Sequence, residues 1–368
     1  MNDLYYIIRI WITLLARPVI DVEKALIEVY GSIENAWFES EKSSENNLFE
    51  KEILNKRVFD NALKEKAISI FDRCIKDNIK IVTANCENYP KNLLHIENYP
   101  YVLYYKGFLP NEKAFNEEYL ISIVGSRRCS AYGRMITYNF SSSLSQCGMG
   151  IVSGLARGID SEAHKGAIMS NGYTIAVLGC GVDIVYPKEH LMLYKKISET
   201  GCVISEYYPG YPVYKSNFPA RNRIISGLSK GLLVVEATDK SGAMITVNTA
   251  INQGRIVMAI PGNINSENSV GCNLLIRDGA VLITSYGEIL DELNVKFNNY
   301  NIDVWLNGLS GSEADVVKAI LKGNFTPNEI INFTKRNSGN VLSTLTMLEI
   351  KGIVSKGLDG AYKVKNKT

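Results

Sequence analysis

Between Leu120 and Pro187 short apolar runs alternate with polar or glycine-bearing turns, and the rest of the chain is arranged around this stretch. LISIVG stops at Ser126-Arg127-Arg128, and GIVSG opens into LARGIDSEAH (155–164). YTIAVLG stops at Cys180-Gly181-Val182-Asp183, just before Tyr186-Pro187-Lys188. Short β-branched runs separated by helical periodicity predict parallel strands joined by right-handed crossovers. The pattern predicts strands over 120–124, 150–153, 173–178, 202–205, 232–236, 255–260 and 280–283. Between them YGRMITYNFSSSLSQ, IDSEAHKGAIMS, KEHLMLYKKISET, FPARNRIISGLSK, MITVNTAINQ and NLLIRDG read as helices. Gly148, Gly172, Gly201, Gly254 and Gly279 stand where these helices end, as left-handed caps. The fold class is α/β, a doubly wound parallel sheet. In such a sheet ligands bind outside the carboxyl ends of the strands, where helix N-termini face outward.

The flanks read differently. Residues 1–72 are helical in pattern, with Ile7, Ile10, Trp11, Leu14 and Leu15 forming one apolar stripe and EKSSENN (41–47) a polar break. The expected organisation is a helical, SAM-like module over 1–72, an α/β domain over 73–296, a linker at 297–303 and a winged helix-turn-helix over 304–368. IKIVT and YVLYYKG are further strand candidates at the head of the α/β domain, and Pro90 and Pro100 argue against regular structure between them. In the tail, Thr326-Pro327 opens a helix and Asp359-Gly360 marks a hairpin.

Composition narrows the function classes. A net charge of +2 over 368 residues leaves a polyanion partner to a local basic patch. Seven cysteines without paired or metal-like spacing read as reduced residues of a cytoplasmic protein, mostly in the core. The run LYYIIRIWITLL contains Arg9 and is shorter than the ~20 residues that span a bilayer, so no membrane role is expected.

The candidate chemistry collects at the strand edge. After Ser126-Arg127 the turn either holds an anion on its amides or is a plain turn with a solvated arginine, and both fit equally. In SGLARGIDSEAH, Gly154 and Gly158 permit close backbone approach, Asp160 or Ser161 can cap the next helix, and His164 reads as a core histidine. Lys188 suits a phosphate and Tyr186 offers a face for a base. FPARNRII places Arg221, Asn222 and Arg223 at a helix start, against the macrodipole, where they answer to an anion or to a carboxylate such as Glu206 or Glu236. Glu236-Ala237, Ser241-Gly242-Ala243, Thr246, Asn248 and Pro261-Gly262-Asn263 complete the edge. Cations interleaved with Tyr207, Tyr208, Tyr211 and Phe218 suit single-stranded nucleic acid. No catalytic trio, metal cluster or phosphate-cradling loop of the ATPase type is visible, so neither catalysis nor a cofactor is expected.

Taken together, IVGSR, SGLARGIDSEAHKGA, LGCGVDIVYPK, FPARNRIISGLSKGLLVVEA, SGAMITVNTAINQGR, IPGN and GCNLLIRDGA resemble the DprA/Smf family, DNA-processing proteins of bacterial transformation and recombination. The likeness covers about residues 80 to 290. It implies an extended Rossmann-like domain that binds single-stranded DNA as a homodimer and helps load RecA recombinase. Carried over residue by residue, it places Arg127 and Lys188 as DNA-binding cations. Gly125, Ser126, Gly154, Phe218, Arg221, Asn222 and Arg223 fall around the same pocket. The N-terminal module lacks a helix-hairpin-helix signature. The third helix of the tail, SGNVLSTLTMLEIKG, is poor in basic residues, so the tail contributes to DNA binding at most through Lys351, Lys356, Lys363 and Lys365. The competing class is a nucleotide enzyme of the phosphoribohydrolase-like Rossmann superfamily, whose Pro-Gly-Gly-x-Gly-Thr-x-x-Glu loop is here replaced by PGNINSENS.

Overall fold

The computed structural model describes residues 3–16, 19–39, 57–113, 117–239, 241–295, 309–321, 324–357 and 360–364. The polar break at 41–47, the linker at 297–303, Asp359 and Lys365 lie outside them. Helices α1 (Asp3–Leu15), α2 (Val19–Tyr30), α3 (Ile33–Glu39) and α4 (Asn61–Lys76) come first. Asp60 caps α4 by accepting from Ala62 N. Helix α4 runs four residues past the expected boundary at 72, because its apolar face is shared: Phe71 and Cys74 join one buried cluster with Trp11, Tyr104, Ala176 and Val203. The N-terminal helices therefore pack on the sheet and do not form a separate core.

Strands β1 (Lys80–Thr83) and β2 (Val102–Gly107) follow, joined through a 3₁₀ turn at Lys91–His95 between the two prolines. The Rossmann-like part then alternates β3 (Leu120–Val124), α5 (Ala131–Gln146), β4 (Gly150–Ser153), α6 (Ile159–Met169), β5 (Thr174–Val177), α7 (Leu191–Thr200) and β6 (Cys202–Ser205). It continues with α8 (Asn217–Leu228), β7 (Gly231–Val234), α9 (Gly242–Asn252), β8 (Ile256–Ala259), α10 (Glu267–Arg277), β9 (Val281–Leu282) and α11 (Tyr286–Glu292). The nine strands form one sheet in the order β1-β2-β6-β5-β4-β3-β7-β8-β9. From β6 to β9 all neighbours are parallel, while β1 and β2 extend the sheet antiparallel beyond β6. Strands β3 to β7 are buried along their whole length, as expected for parallel strands covered by helices on both faces.

Two of the five expected glycine caps are something else. Gly148, Gly254 and Gly279 do adopt positive φ, but after α6 it is Asn171 that takes it (φ 53°). Gly201 has φ −133° and is required by proximity, since a Cβ there would lie 2.1 Å from the Thr174 carbonyl oxygen. The tail carries α12 (Gly311–Leu321), α13 (Pro327–Thr334), α14 (Ser338–Ile350) and an antiparallel pair, β10 (Val354–Lys356) with β11 (Tyr362–Val364). Thr326 caps α13 in a reciprocal box with Glu329, behind Pro327 at the first position. Val316, Ile320, Ile330, Val341, Leu345 and Tyr362 give the tail its own buried cluster.

Candidate nucleic-acid interface

Strands β3 and β7 are neighbours, yet the chain leaves β3 toward β4 and leaves β7 toward β8, on the other side. Crossovers departing in opposite directions open a crevice at the carboxyl ends, the position where doubly wound folds bind ligands. Here the crevice is a cleft of about 880 Å³, and Gly125, Ser126, Arg127, Tyr186, Phe218, Arg221 and Asn222 all line it.

The turn after β3 is fixed on both sides. Ser126 N donates to the Glu236 carbonyl (2.7 Å), and the Ser126 carbonyl accepts from Ile159 N (3.2 Å). Gly158 passes so close, at φ 76°, that a Cβ on it would lie 2.3 Å from the Ser126 carbonyl oxygen. This places Arg127 at the lip, exposed, with no hydrogen bond or ion pair among the described residues. Its guanidinium carbon stands 5.6 Å from the centre of the Phe218 ring. The Tyr186 ring, 43% exposed, lies 5.5 Å from Phe218 at 39°, so a second aromatic face adjoins the one that Arg127 covers.

Arg221 does different work although it lines the same cleft. It is 3% exposed, and its Nη1 donates to the carbonyls of Gly154 (3.0 Å) and Val177, tying together the ends of β4 and β5. Asp160, also buried, accepts from the amides of Gly154 (3.1 Å) and Ala156 (3.4 Å), so it pins the loop behind it and does not cap α6. Ser161 does not cap it either, since its hydroxyl donates back to the Gly158 carbonyl. Burial lowers the Arg221 pKa to about 10 against the opposing pull of Asp160, and raises that of Asp160 against the pull of Arg221. Only a glycine fits between them: a Cβ on residue 154 would lie 2.6 Å from Arg221 Nη2 and 2.8 Å from Asp160 Oδ2. Gly154 thus sits beneath the cleft, out of its lining.

The other carboxylate at the edge is equally engaged. Glu236 accepts from Ser130 N (2.8 Å) and the Ser130 hydroxyl (2.5 Å), while the same hydroxyl oxygen caps α5 by accepting from Gly133 N (3.0 Å). His164 is fully buried, as its helix position implied. Thr174 Oγ1 spends its proton on the Ile151 carbonyl, so His164 Nδ1 must donate to that oxygen (2.7 Å). Burial, with the nearby His190 and Arg221, drops its pKa to about 3. Among the described residues no three His, Cys, Asp or Glu side chains are grouped to hold a metal.

Lys188 is exposed just past Tyr186-Pro187, at the margin and outside the lining. Arg223 is not brought to the cleft. Its fork is closed on Glu206 (3.0 and 2.7 Å) and its Nε donates to the Asn98 carbonyl (3.0 Å), in a separate groove lined by Tyr99, Tyr101 and Ala220. The lining also contains Arg128, Lys215, Thr238 and Asn268, which motif reading did not single out. Arg128 was flagged only by adjacency to Arg127, and Lys215 by the tyrosine-rich segment leading into α8. In the tail, Lys351 is paired with Glu313 (2.5 Å) and Lys356 lies over the Tyr362 ring.

Comparison with known proteins bears on the family and the fold. Protein Smf of Escherichia coli K12 is 44% identical over 217 residues, 59% of this chain and 57% of that protein, so the chain matches little more than half of that relative's length. The DNA processing protein DprA of Streptococcus pneumoniae R6 is 45% identical over 204 residues, 55% of this chain and 71% of that one. The X-ray structure of S. pneumoniae DprA superposes with a TM-score of 0.62 at 33% identity, covering 79% of this chain and 98% of that one. A Helicobacter pylori DprA structure, described for its single-stranded DNA binding mode, superposes at 0.54 with 28% identity over 60% of this chain and 97% of that one. The family model for DNA recombination-mediator protein A matches residues 80–294, more than half of the chain, which therefore belongs to that family.

Proposed function

We propose that this protein binds single-stranded DNA along the cleft at the β3/β7 switch, without reading base sequence. The observation that carries this is the unpaired Arg127 beside the Phe218–Tyr186 pair. A cation on phosphate with aromatic faces for unstacked bases is the physical recipe for sequence-tolerant single-strand binding. Lys188, one residue past the Tyr186-Pro187 turn, extends the cationic strip. Ser126, Gly125, Gly154 and Asn222 shape its floor, Arg221 holds that floor together, and Arg223 supports the neighbouring loop. The H. pylori relative's described single-stranded DNA binding supports the same ligand class. From family membership we extend the proposal to a homodimer that protects incoming DNA and loads RecA recombinase onto it during transformation, in the cytoplasm.

The protein acts in this proposal by binding, not by turnover. Asp160 and Glu236 are occupied by backbone amides and a capping serine, and His164 is neutral and enclosed, so none is poised as a general base. The test is a titration of matched single- and double-stranded oligonucleotides, with parallel incubation on nucleoside monophosphates. Tighter binding of the single strand and no release of base or phosphate is expected. Equal affinity for both forms, or sustained turnover lost on mutating Asp160 or Glu236, overturns the proposal.

A further inference from the structure

We infer that the N-terminus of α9 is a second anion subsite of the cleft, holding a phosphate of the bound strand across the switch from Arg127. This rests on the single-strand reading above and extends its footprint. Helix α9 is 11 residues long, carries no acidic residue in its first turn, and its N-cap Ser241 makes no side-chain cap. The first amides of a helix have no intrahelical partner, and the dipole favours an anion there. Two hydroxyls make this more than a bare helix end. Thr246 is 2% exposed and lines the cleft, and its hydroxyl makes no hydrogen bond among the described residues. Ser241 also lines the cleft, and its Oγ is enclosed without a partner. An enclosed hydroxyl left unpaired is costly, so Ser241 Oγ, with the Thr246 hydroxyl unpaired on the same lining, marks the place of an absent acceptor.

The surroundings fit a phosphate. Arg128, exposed on the same lining, makes no ion pair among the described residues. Two carboxylates share the lining: Asp160 is held by the Gly154 and Ala156 amides beside Arg221, and Glu267 sits in the first turn of α10, where it serves that helix's dipole. The anion therefore belongs on the α9 side. A Cβ added to Gly242 would meet nothing within 4 Å, so this position is open space that a phosphate oxygen can enter.

Two variants test the subsite, Ser241→Ala/Thr246→Val and Gly242→Ala. The first removes both hydroxyls while keeping volume; the second fills the open space without touching the protein. Binding of a short oligothymidylate is followed by fluorescence anisotropy across a salt series, and binding of dTMP by calorimetry at constant ionic strength. Both variants should melt like the parent protein and bind the oligonucleotide about tenfold more weakly, a change of about 1.4 kcal/mol. The salt slope should not change, because hydroxyls and amides release no counterions. If dTMP binding is lost while the oligonucleotide is bound as before, the subsite stands but its phosphate comes from a free nucleotide. If both variants bind both ligands as the parent does, the subsite is refuted. Loss of slope in Arg127→Ala/Lys188→Ala reports separately on whether the cleft binds DNA at all, so the two failures are distinguishable.

Discussion

Replacing Gly154 by alanine should unfold the site from below. The new methyl would lie 2.6 Å from Arg221 Nη2, 2.8 Å from Arg221 Cζ and 2.8 Å from Asp160 Oδ2. The guanidinium cannot simply retreat, because it is 3% exposed and already bonded to the Gly154 and Val177 carbonyls. Pushing it aside leaves two buried acceptors short of a donor, at about 1–3 kcal/mol each, and separates it from a buried carboxylate. The expected loss is about 2–6 kcal/mol. In a domain of this size, that lowers the melting temperature by roughly 4–24 °C. Phe218 packs 5.9 Å from Arg221 and 5.6 Å from Arg127, so single-strand binding should weaken as well. Thermal melts of Gly154→Ala beside Gly242→Ala, where the added methyl meets nothing, give the comparison. A Gly154→Ala protein melting within a degree or two of the parent would refute the account of Arg221 as the tie between β4 and β5.

Arg223→Gln should lower stability by breaking the bidentate pair with Glu206, yet leave oligonucleotide affinity within about twofold, well under the 1.4 kcal/mol of a tenfold change; anisotropy decides. His164 has its pKa lowered from 6.5 to about 3, so its neutral form stabilises the fold above pH 6.5 and that stabilisation is lost as pH falls below it. Urea melts should therefore lose stability as pH falls from 6.5, at a rate approaching about 1.4 kcal/mol per pH unit by pH 5, and His164→Gln should remove that contribution. Cutting the chain after Tyr300 should leave most single-strand affinity, because the basic and aromatic cleft lies upstream and Lys351 is already paired with Glu313. A folded truncation that binds ten times more weakly contradicts this.

The parallel core was legible because its strands are short, apolar and bounded by glycine or charge: β3, β4 and β6 fall on the predicted residues, and the others within two. Helix α11 escaped notice although Ser285 and Glu288 spell its capping box, since at seven residues it shows little periodicity. What was not legible is long-range. No local signal says that β2 pairs antiparallel with β6, or that Gly201 is needed to clear Thr174. The three arginines expected at the site look alike in sequence, yet Arg127 makes no hydrogen bond or ion pair among the described residues, Arg221 is buried on strand-end carbonyls and Arg223 is clamped by Glu206 outside the cleft. Their fates depend on which carbonyls and carboxylates the fold brings near. The helix begins at Asn217, so Arg221 and Arg223 lie in its second turn and not at the start the sequence suggested, beyond the dipole's reach; the Glu206 partner of Arg223 comes from tertiary packing.

The central claim is that Arg127 and Lys188 carry phosphates at the β3/β7 cleft. The salt dependence of single-strand binding, measured for the parent and for Arg127→Ala/Lys188→Ala, tests it most directly. Each phosphate contact on a single strand contributes roughly −0.7 to the slope of log K against log salt. The account predicts a double variant that melts like the parent, binds more weakly at low salt, and has a slope flatter by about 1.4. A folded double variant with the parent's affinity and the parent's slope would contradict it.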